Sequence, residues 1–343
     1  MPNNFPGFQP VVDEASVAKF RKAYGRPDLD QGKPMTKVTA LNEAGKSIFA
    51  MLIDGENTVV TDPDMNHCRH ALESLEHLVV IDIFMTDTAQ MADIVFPATA
   101  WAETDGVQTN TERRVQRLRK AVEPPGQAKP DWWIVSQIAR RLGAPGFEFD
   151  SAKEVFNELC ALSPIYAGLD WDRIDKGEFQ WPVPEKDHPG TPILHEKEFK
   201  NGRGVLRVIG YRDPAEVIDA DYPVWLTTGR RLQSYHTRTQ TGRSKGIDYL
   251  LPEETLEVHP ADAEAWGIRN GDQVKIASRR GEIAIKVKTT EQSPRGTVFS
   301  SFSFRDTPIN ILTGSGYDPV TQTAELKVCP VKITPVRRGM RRD

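Results

Sequence analysis

A change of periodicity near residue 222 constrains this chain more than any other feature. Before it, short apolar runs alternate with helix-period segments; after it, the signals are all β. An apolar run at 47–53 (SIFAMLI) stops at Asp54-Gly55-Glu56-Asn57, and a helix-period stretch follows at 63–76. A second run at 77–84, a third segment at 86–93 (TDTAQMAD) and a run at 94–96, closed by Pro97, complete the pattern. Strand, helix, strand, helix, strand at this spacing predicts a parallel, Rossmann-like α/β domain with ligand sites at the C-terminal ends of its strands. Two capped helices come next. Pro130-Asp131 opens one with an Ile134, Val135, Ile138, Leu142 stripe, and Ser151-x-x-Glu154 reads as a capping box for the other. Residues 164–221 are proline-rich, and Trp171 and Trp181 there need a surface to bury against, so an irregular packed connection is expected. From 222 on, strand-like runs at 224–228, 255–258, 273–277, 282–288 and 297–304 are punctuated by Asn270-Gly271, Arg280-Gly281 and Pro294-Arg295-Gly296. They predict a β-barrel of six or seven strands. The expected organisation is therefore an α/β domain over 1–165, a connection over 166–221, a barrel over 222–336 and a frayed basic tail at 337–343. The 343 residues suit two domains at about 150 residues each.

Charge and cysteine usage exclude several function classes. Lys+Arg 44 against Asp+Glu 48 leaves a net charge of −4, which argues against a nucleic-acid binder and requires any anion site to arise by local clustering. The richest apolar stretch, 77–85, is short and carries Asp82, so no membrane-spanning helix is expected. The opening PNNFPGFQP has neither a basic nor an apolar leader region, and a cytoplasmic protein is the expectation. Cys68, Cys160 and Cys329 lie far apart without a CxxC, so this sequence is expected to supply no iron–sulfur cage and no metal ligand. His67-Cys68-Arg69-His70 falls in an amphipathic pattern that turns Cys68 to a core. Neither GxSxG nor HExxH occurs, and no catalytic residue is assigned.

The sharpest polar feature is 226–243, LTTGRRLQSYHTRTQTGR. It supplies Arg230, Arg231, His236, Arg238 and Arg243, interleaved with hydroxyls and free of acids. Guanidinium forks, hydroxyl donors and a glycine that admits close backbone approach are what a phosphate or pyrophosphate needs. Asp82 ends an apolar strand, where an acid accepts from a ribose hydroxyl or base amino group, and Gly55-Glu56-Asn57 ends the preceding strand. A weaker constellation runs over 103–120, with Gly106 and Asn110 suited to tight backbone and Glu112 and Arg113 to pairing; its plain alternative is a charged, solvated hairpin.

Longer segments carry a resemblance. VVIDIFMTDTAQMADIVFPATAWAETDGVQTNTERRVQR resembles the third domain of the large subunit in molybdopterin oxidoreductases of the dimethyl-sulfoxide-reductase superfamily. YPVWLTTGRRLQSYHTRTQTGR, HPADAEAWGIRNGDQVKIASRRGEI and PINILTGSGYDPVTQTAELKVCPVKI resemble its C-terminal molybdopterin-dinucleotide-binding barrel. Within that family the wording is most similar to the α subunits of cytoplasmic, NAD-linked formate dehydrogenases. The resemblance implies a bis-molybdopterin guanine dinucleotide cofactor with molybdenum or tungsten. It implies that Gly55, Glu56, Asn57, Asp82 and Thr86 hold a guanosine end, and that Thr228, Gly229, Arg230, His236, Arg238 and Thr239 grip pterin and phosphate. Asn310 and Lys327 match closing segments, and Glu103, Gly106, Asn110 and Arg113 match a cofactor-facing hairpin in which Gln108 replaces a more usual aromatic. The family's metal-ligating Cys or selenocysteine and its iron–sulfur cysteines have no counterpart here. The expectation is therefore a truncated or split α subunit, partnered by an N-terminal half that carries those clusters and by NAD- and iron–sulfur-binding subunits, with no nucleic acid or membrane partner. The alternatives are a non-catalytic cofactor-binding module and part of another molybdopterin oxidoreductase, such as a nitrate reductase.

Overall fold

The computed structural model describes residues 4–31, 35–199 and 201–336; the basic tail expected at 337–343 lies outside them. The chain divides into two compact units: unit 1 comprises Met1–Met35, Ile81–Ile83 and Phe96–Gly210, and unit 2 comprises Thr36–Val80, Phe84–Val95 and Tyr211–Asp343.

Unit 2 contains a closed barrel of six strands among the described residues. Around the barrel the order is Thr255–Val258, Glu282–Thr289, Gln273–Ala277, Cys329–Pro335, Val224–Gly229 and Thr297–Ser301, with the last pairing back to the first. Two neighbouring pairs are parallel, Thr255–Val258 with Glu282–Thr289 and Val224–Gly229 with Thr297–Ser301. The alternation read from sequence places every second side chain inside: Leu226, Val274, Ile276, Ile285, Val298 and Val331 are buried to 1 % exposure or less. Asn270-Gly271 turns as expected, with Gly271 at φ 84°, a conformation that favours glycine. The strand Cys329–Pro335 was not among the five runs read as strands, because Pro330 and Pro335 weaken a strand signal. The run at 297–304 stops early, at Ser301.

The α/β part of unit 2 packs the helices Lys37–Glu43 and Met65–Glu73 around Leu41, Val59, Leu72, Leu78 and Val80. Cys68 joins that core, and burial pushes its thiol up to about 12, which makes it an inert packing residue. Strands Ala50–Asp54, His77–Asp82 and Ile94–Pro97 form a sheet in that order. The helix expected over 86–93 is reduced to the 3-10 turn Ala89–Met91. Asp93 explains this: its carboxylate accepts from Leu78 N at 2.7 Å and its amide donates to Leu78 O, so the chain is drawn back into strand geometry within a few residues.

In unit 1 the helices Asp131–Arg141 and Ala152–Leu162 form as expected, and Ser151 accepts from Glu154 N. The capping box is only half made, since Glu154 accepts from Asp150 N rather than from the cap residue. Gly106–Thr109 and Arg114–Leu118 pair as an antiparallel hairpin joined by Phe179–Gln180. Arg117 departs from the solvated reading of that hairpin: its guanidinium lies 3.5 Å from the Trp171 ring centroid and donates to Gly106 O at 2.7 Å. The 164–221 segment buries Leu169, Ile174 and Val183, whereas Val205, Leu206, Val208 and Ile209 are exposed.

The barrel core sets a testable scale. Ile276→Ala removes a fully buried side chain from the closed interior, and chemical denaturation should register a loss of about 2–5 kcal/mol with the same fold by circular dichroism.

Candidate functional site

Strand Val224–Gly229 delivers the chain into the loop read as an anion site. At its end Thr228 Oγ1 donates to Leu326 O at 2.7 Å, beside the exposed Lys327. Gly229 lies against Phe299 so closely that a Cβ would sit 2.7 Å from the ring, which excludes a larger residue. Arg231 then turns inward. Its guanidinium bonds Glu254 Oε1 at 2.7 Å and Glu257 Oε1 at 2.6 Å, and both acids are buried. This removes Arg231 from the set of arginines available to a ligand. Arg230 is exposed and lies 5.4 Å from the Phe302 ring centroid, and His236 meets the same ring edge-on at 5.3 Å. Burial and the neighbouring Arg230 hold the His236 imidazole below its ordinary value, so it is mostly neutral at pH 7. Arg238, at φ 60°, rests 4.1 Å from the Phe304 ring centroid, donates to Leu251 O at 3.0 Å and pairs with Asp248. Arg243 lies 4.1 Å from the Phe84 centroid while its Nε donates to Thr239 O.

The α/β part of the same unit contributes a second polar wall. Asn57 Oδ1 accepts from Thr88 N and Thr88 Oγ1, and its amide donates to Asp87 at 3.2 Å. Thr86 Oγ1 accepts from Ala89 N at 3.1 Å, fixing the turn that presents Asp87. Asp87 is paired with Arg305 at 2.9 Å. Gly55 adopts φ 65°, and Glu56 is paired with Lys37, which also reaches Asp62 at 3.0 Å. Burial raises the Asp62 carboxyl to about 6, an effect that Lys37 offsets only in part, and Asp62 Oδ2 has no hydrogen-bond partner. Asn310 donates to Val60 O and Thr61 O at 3.0 Å each, tying the barrel's closing segment to this region.

A cleft of about 500 Å³ in unit 2 joins the two walls. It brings together five residues singled out in the sequence, Asn57, Thr86, Arg238, Thr239 and Arg243, with Asp87. Ser303 and Arg305 also face it, and the buried Ser303 Oγ has no partner. Guanidinium groups can grip an anion here while the Asp87 carboxylate accepts from hydroxyl or amino groups. Gly55, Glu56, Thr228, Gly229, Arg230, His236, Asn310 and Lys327 belong to the same unit without lining this cleft.

The other five expected residues belong to unit 1, where local structure occupies them. Asp82 is 8 % exposed and its carbonyl accepts from Ala98 N. Glu103 Oε2 accepts from Ala100 N at 2.8 Å. Gly106 O accepts from Arg117, and Asn110 Oδ1 accepts from Glu112 N and Arg114 N to shape the hairpin turn. Arg113 spends its N–H groups on the carbonyls of Trp181, Thr191 and Pro192. Sequence reasoning did not single out Lys37, Asp62, Asp87 or Arg305. Lys37 and Asp62 carry no local motif, and Arg305 follows the barrel strand Thr297–Ser301, far in sequence from Asp87.

Comparison with known proteins accords with this arrangement. A family profile described as molybdopterin oxidoreductase matches residues 12–141, and one described as molydopterin dinucleotide binding domain matches residues 224–330. The F420-dependent formate dehydrogenase subunit alpha of Methanocaldococcus jannaschii is 44% identical over 336 residues, covering 97% of this chain and 50% of that protein. The assimilatory nitrate reductase catalytic subunit of Bacillus subtilis is 35% identical over 354 residues, with 97% and 49% covered. The structure of acetylene hydratase from Pelobacter acetylenicus shares the fold at a TM-score of 0.69 and 18% identity, covering 95% of this chain and 51% of that one. The chain spans about half the length of the curated relatives it matches. The chain thus carries, in succession, a molybdopterin oxidoreductase region and a molydopterin dinucleotide binding domain, the second coinciding with the closed barrel.

Proposed function

We propose that this chain holds a molybdopterin guanine dinucleotide as part of a formate dehydrogenase α subunit. The observation that carries the reading is the unit 2 cleft, where arginines and hydroxyls from the barrel loop meet Asn57, Thr86 and Asp87. Its donor set fits the cofactor. Arg238 and Arg243 suit phosphate oxygens, Asp87 suits the hydroxyl or amino donors of a nucleoside, and the buried unpartnered Ser303 Oγ needs a polar partner. Gly55, Glu56, Arg230, His236, Asn310 and Lys327 are proposed to extend the same binding region, with Asp82 and the hairpin residues Glu103, Gly106, Asn110 and Arg113 assigned by resemblance. When bound, the cofactor supplies the molybdenum or tungsten centre at which two electrons leave the substrate.

What this chain's residues do is bind and orient. The Phe304 and Phe84 ring centroids lie 4.1 Å from the Arg238 and Arg243 guanidinium carbons and the rings restrict those side chains, which limits the entropy lost when they close on an anion. Metal ligation and electron exit are proposed to lie with residues outside this sequence, in an N-terminal portion, and with NAD- and iron–sulfur-binding partner subunits. The chemistry of the cysteines supports this. All three are buried, with thiols raised by desolvation, so none is poised as a thiolate ligand. No helix among the described residues is long and apolar enough to cross a membrane; a cytoplasmic setting remains part of the proposal.

Two outcomes are expected. Arg243→Ala or Arg238→Ala should weaken retention of the guanine-dinucleotide pterin by about 1.5–3 kcal/mol per lost charged hydrogen bond, read by cofactor released from purified protein. Equal retention in folded variants would reject the cleft as its seat. The chain purified alone should show no formate-dependent dye reduction after cofactor and metal loading, and should gain activity on co-expression with a cluster-bearing N-terminal portion. That assay offers NAD and F420 as acceptors, since the 44%-identical relative is named for F420, and tests nitrate reduction in parallel because a nitrate reductase is also a relative. Turnover by the chain alone would defeat the proposed division of labour.

A further inference from the structure

Unit 1 contains a cavity of about 570 Å³, within the range that holds small ligands. Its floor is apolar: Phe96, Pro97, Ile134 and Ile138, with Trp133 forming one wall. Trp133, Ile134, Gln137, Ile138 and Arg141 fall at helical spacing on Asp131–Arg141, so one face of that helix builds most of the site. Ile134 is 4 % exposed and locked against Ile81 and Ala98, which makes the floor rigid. Trp133 is 37 % exposed and offers a ring face.

The rim has one sign of charge. Lys129 and Arg141 are both exposed, and neither forms an ion pair among the described residues. No carboxylate is among the residues lining the cavity. Lys129 Nζ lies 5.7 Å from the Trp133 ring centroid. Arg141 Nη1 donates to Gln137 O at 3.1 Å and to Gln137 Oε1 at 3.0 Å, which steadies the guanidinium while its other N–H groups have no partner among the described residues. Gln127 and Gln137 add neutral amide groups.

We propose that this cavity binds a small planar aromatic anion, its ring stacked on Trp133 over the Ile134–Ile138 floor and its carboxylate, sulfonate or phosphate held between Lys129 and Arg141. A neutral apolar ligand would make no use of the two rim cations, and a purely ionic ligand none of the apolar floor. An aromatic acid satisfies both requirements. The site shares no residue with the unit 2 cleft, and the proposal stands independently of the function assigned to that cleft.

The test is a titration of the full chain with naphthalene-1-sulfonate, followed by tryptophan fluorescence and by calorimetry, with 1-naphthalenemethanol as the neutral counterpart. Saturation at one equivalent is expected, with affinity about tenfold weaker in Lys129→Gln and in Arg141→Gln, the loss of one charged contact each. The neutral compound should bind at least about tenfold more weakly than the sulfonate. Trp133→Phe should retain most of the calorimetric affinity and lose the largest part of the quenching. Both charge substitutions are at exposed positions, so unchanged melting temperatures are expected to accompany the weaker binding. Absence of saturation, equal affinity for the neutral compound, or affinity unaltered in both charge variants would overturn the proposal.

Discussion

The pairing of Arg231 with Glu254 and Glu257 is the interaction on which the unit 2 site depends. The loop after Val224–Gly229 has little regular structure, so its geometry must be imposed by side chains. Arg231 does this from inside: its guanidinium is 14 % exposed and spans two carboxylates that are themselves 0 % and 8 % exposed. Such a pair is costly to desolvate, yet once formed it is hard to break, because removing either partner leaves a buried charge. Ser301 Oγ also donates to Glu254, so the ends of two parallel barrel strands and the loop root meet at one carboxylate. The position of Arg230, one residue earlier, and of Arg238, seven later, follows from that anchor.

Aromatic faces perform the complementary task on the ligand side. Phe302, Phe304 and Phe84 each carry a guanidinium on a ring, beneath Arg230, Arg238 and Arg243 respectively. Stacking leaves the edge of the guanidinium free, and the edge is where its hydrogen-bond donors lie. An arginine held this way resembles a fixed donor array more than a solvated chain. Asp248 and Leu251 O also engage Arg238, so a ligand's anion at that position competes with an existing pair, whereas Arg243 gives only its Nε to Thr239 O.

Legibility in the sequence followed the range of the interaction. The barrel strands could be read because alternation, glycine turns and β-branching are local, and the five runs agree with five of the six observed strands to within a few residues at their ends. Cys329–Pro335 escaped because its prolines contradict a local rule that the closed barrel overrides. The 3-10 turn at Ala89–Met91 escaped because the carboxylate of Asp93 reaches back fifteen residues to Leu78, a pairing no window of sequence displays. Among site residues, the arginine-rich loop announced itself by composition, but which arginine is structural was decided by Glu254 and Glu257, more than twenty positions away.

The Lys37, Glu56 and Asp62 cluster shows the same principle at its limit. Glu56 belongs to an obvious turn, Gly55-Glu56-Asn57, and would be read as free to meet a ligand. Lys37, nineteen residues earlier at the start of the helix Lys37–Glu43, pairs with it and also with the buried Asp62, whose carboxyl is raised to about 6. An acid with a raised value is easier to keep neutral, so ionised Asp62 is costly in the fold and Lys37 limits that cost. The lysine is therefore shared between a partly exposed acid and a buried one. Moving Lys37 away would leave the buried Asp62 less well compensated, so the position of the Gly55-Glu56-Asn57 turn and the burial of Asp62 depend on the same ammonium group.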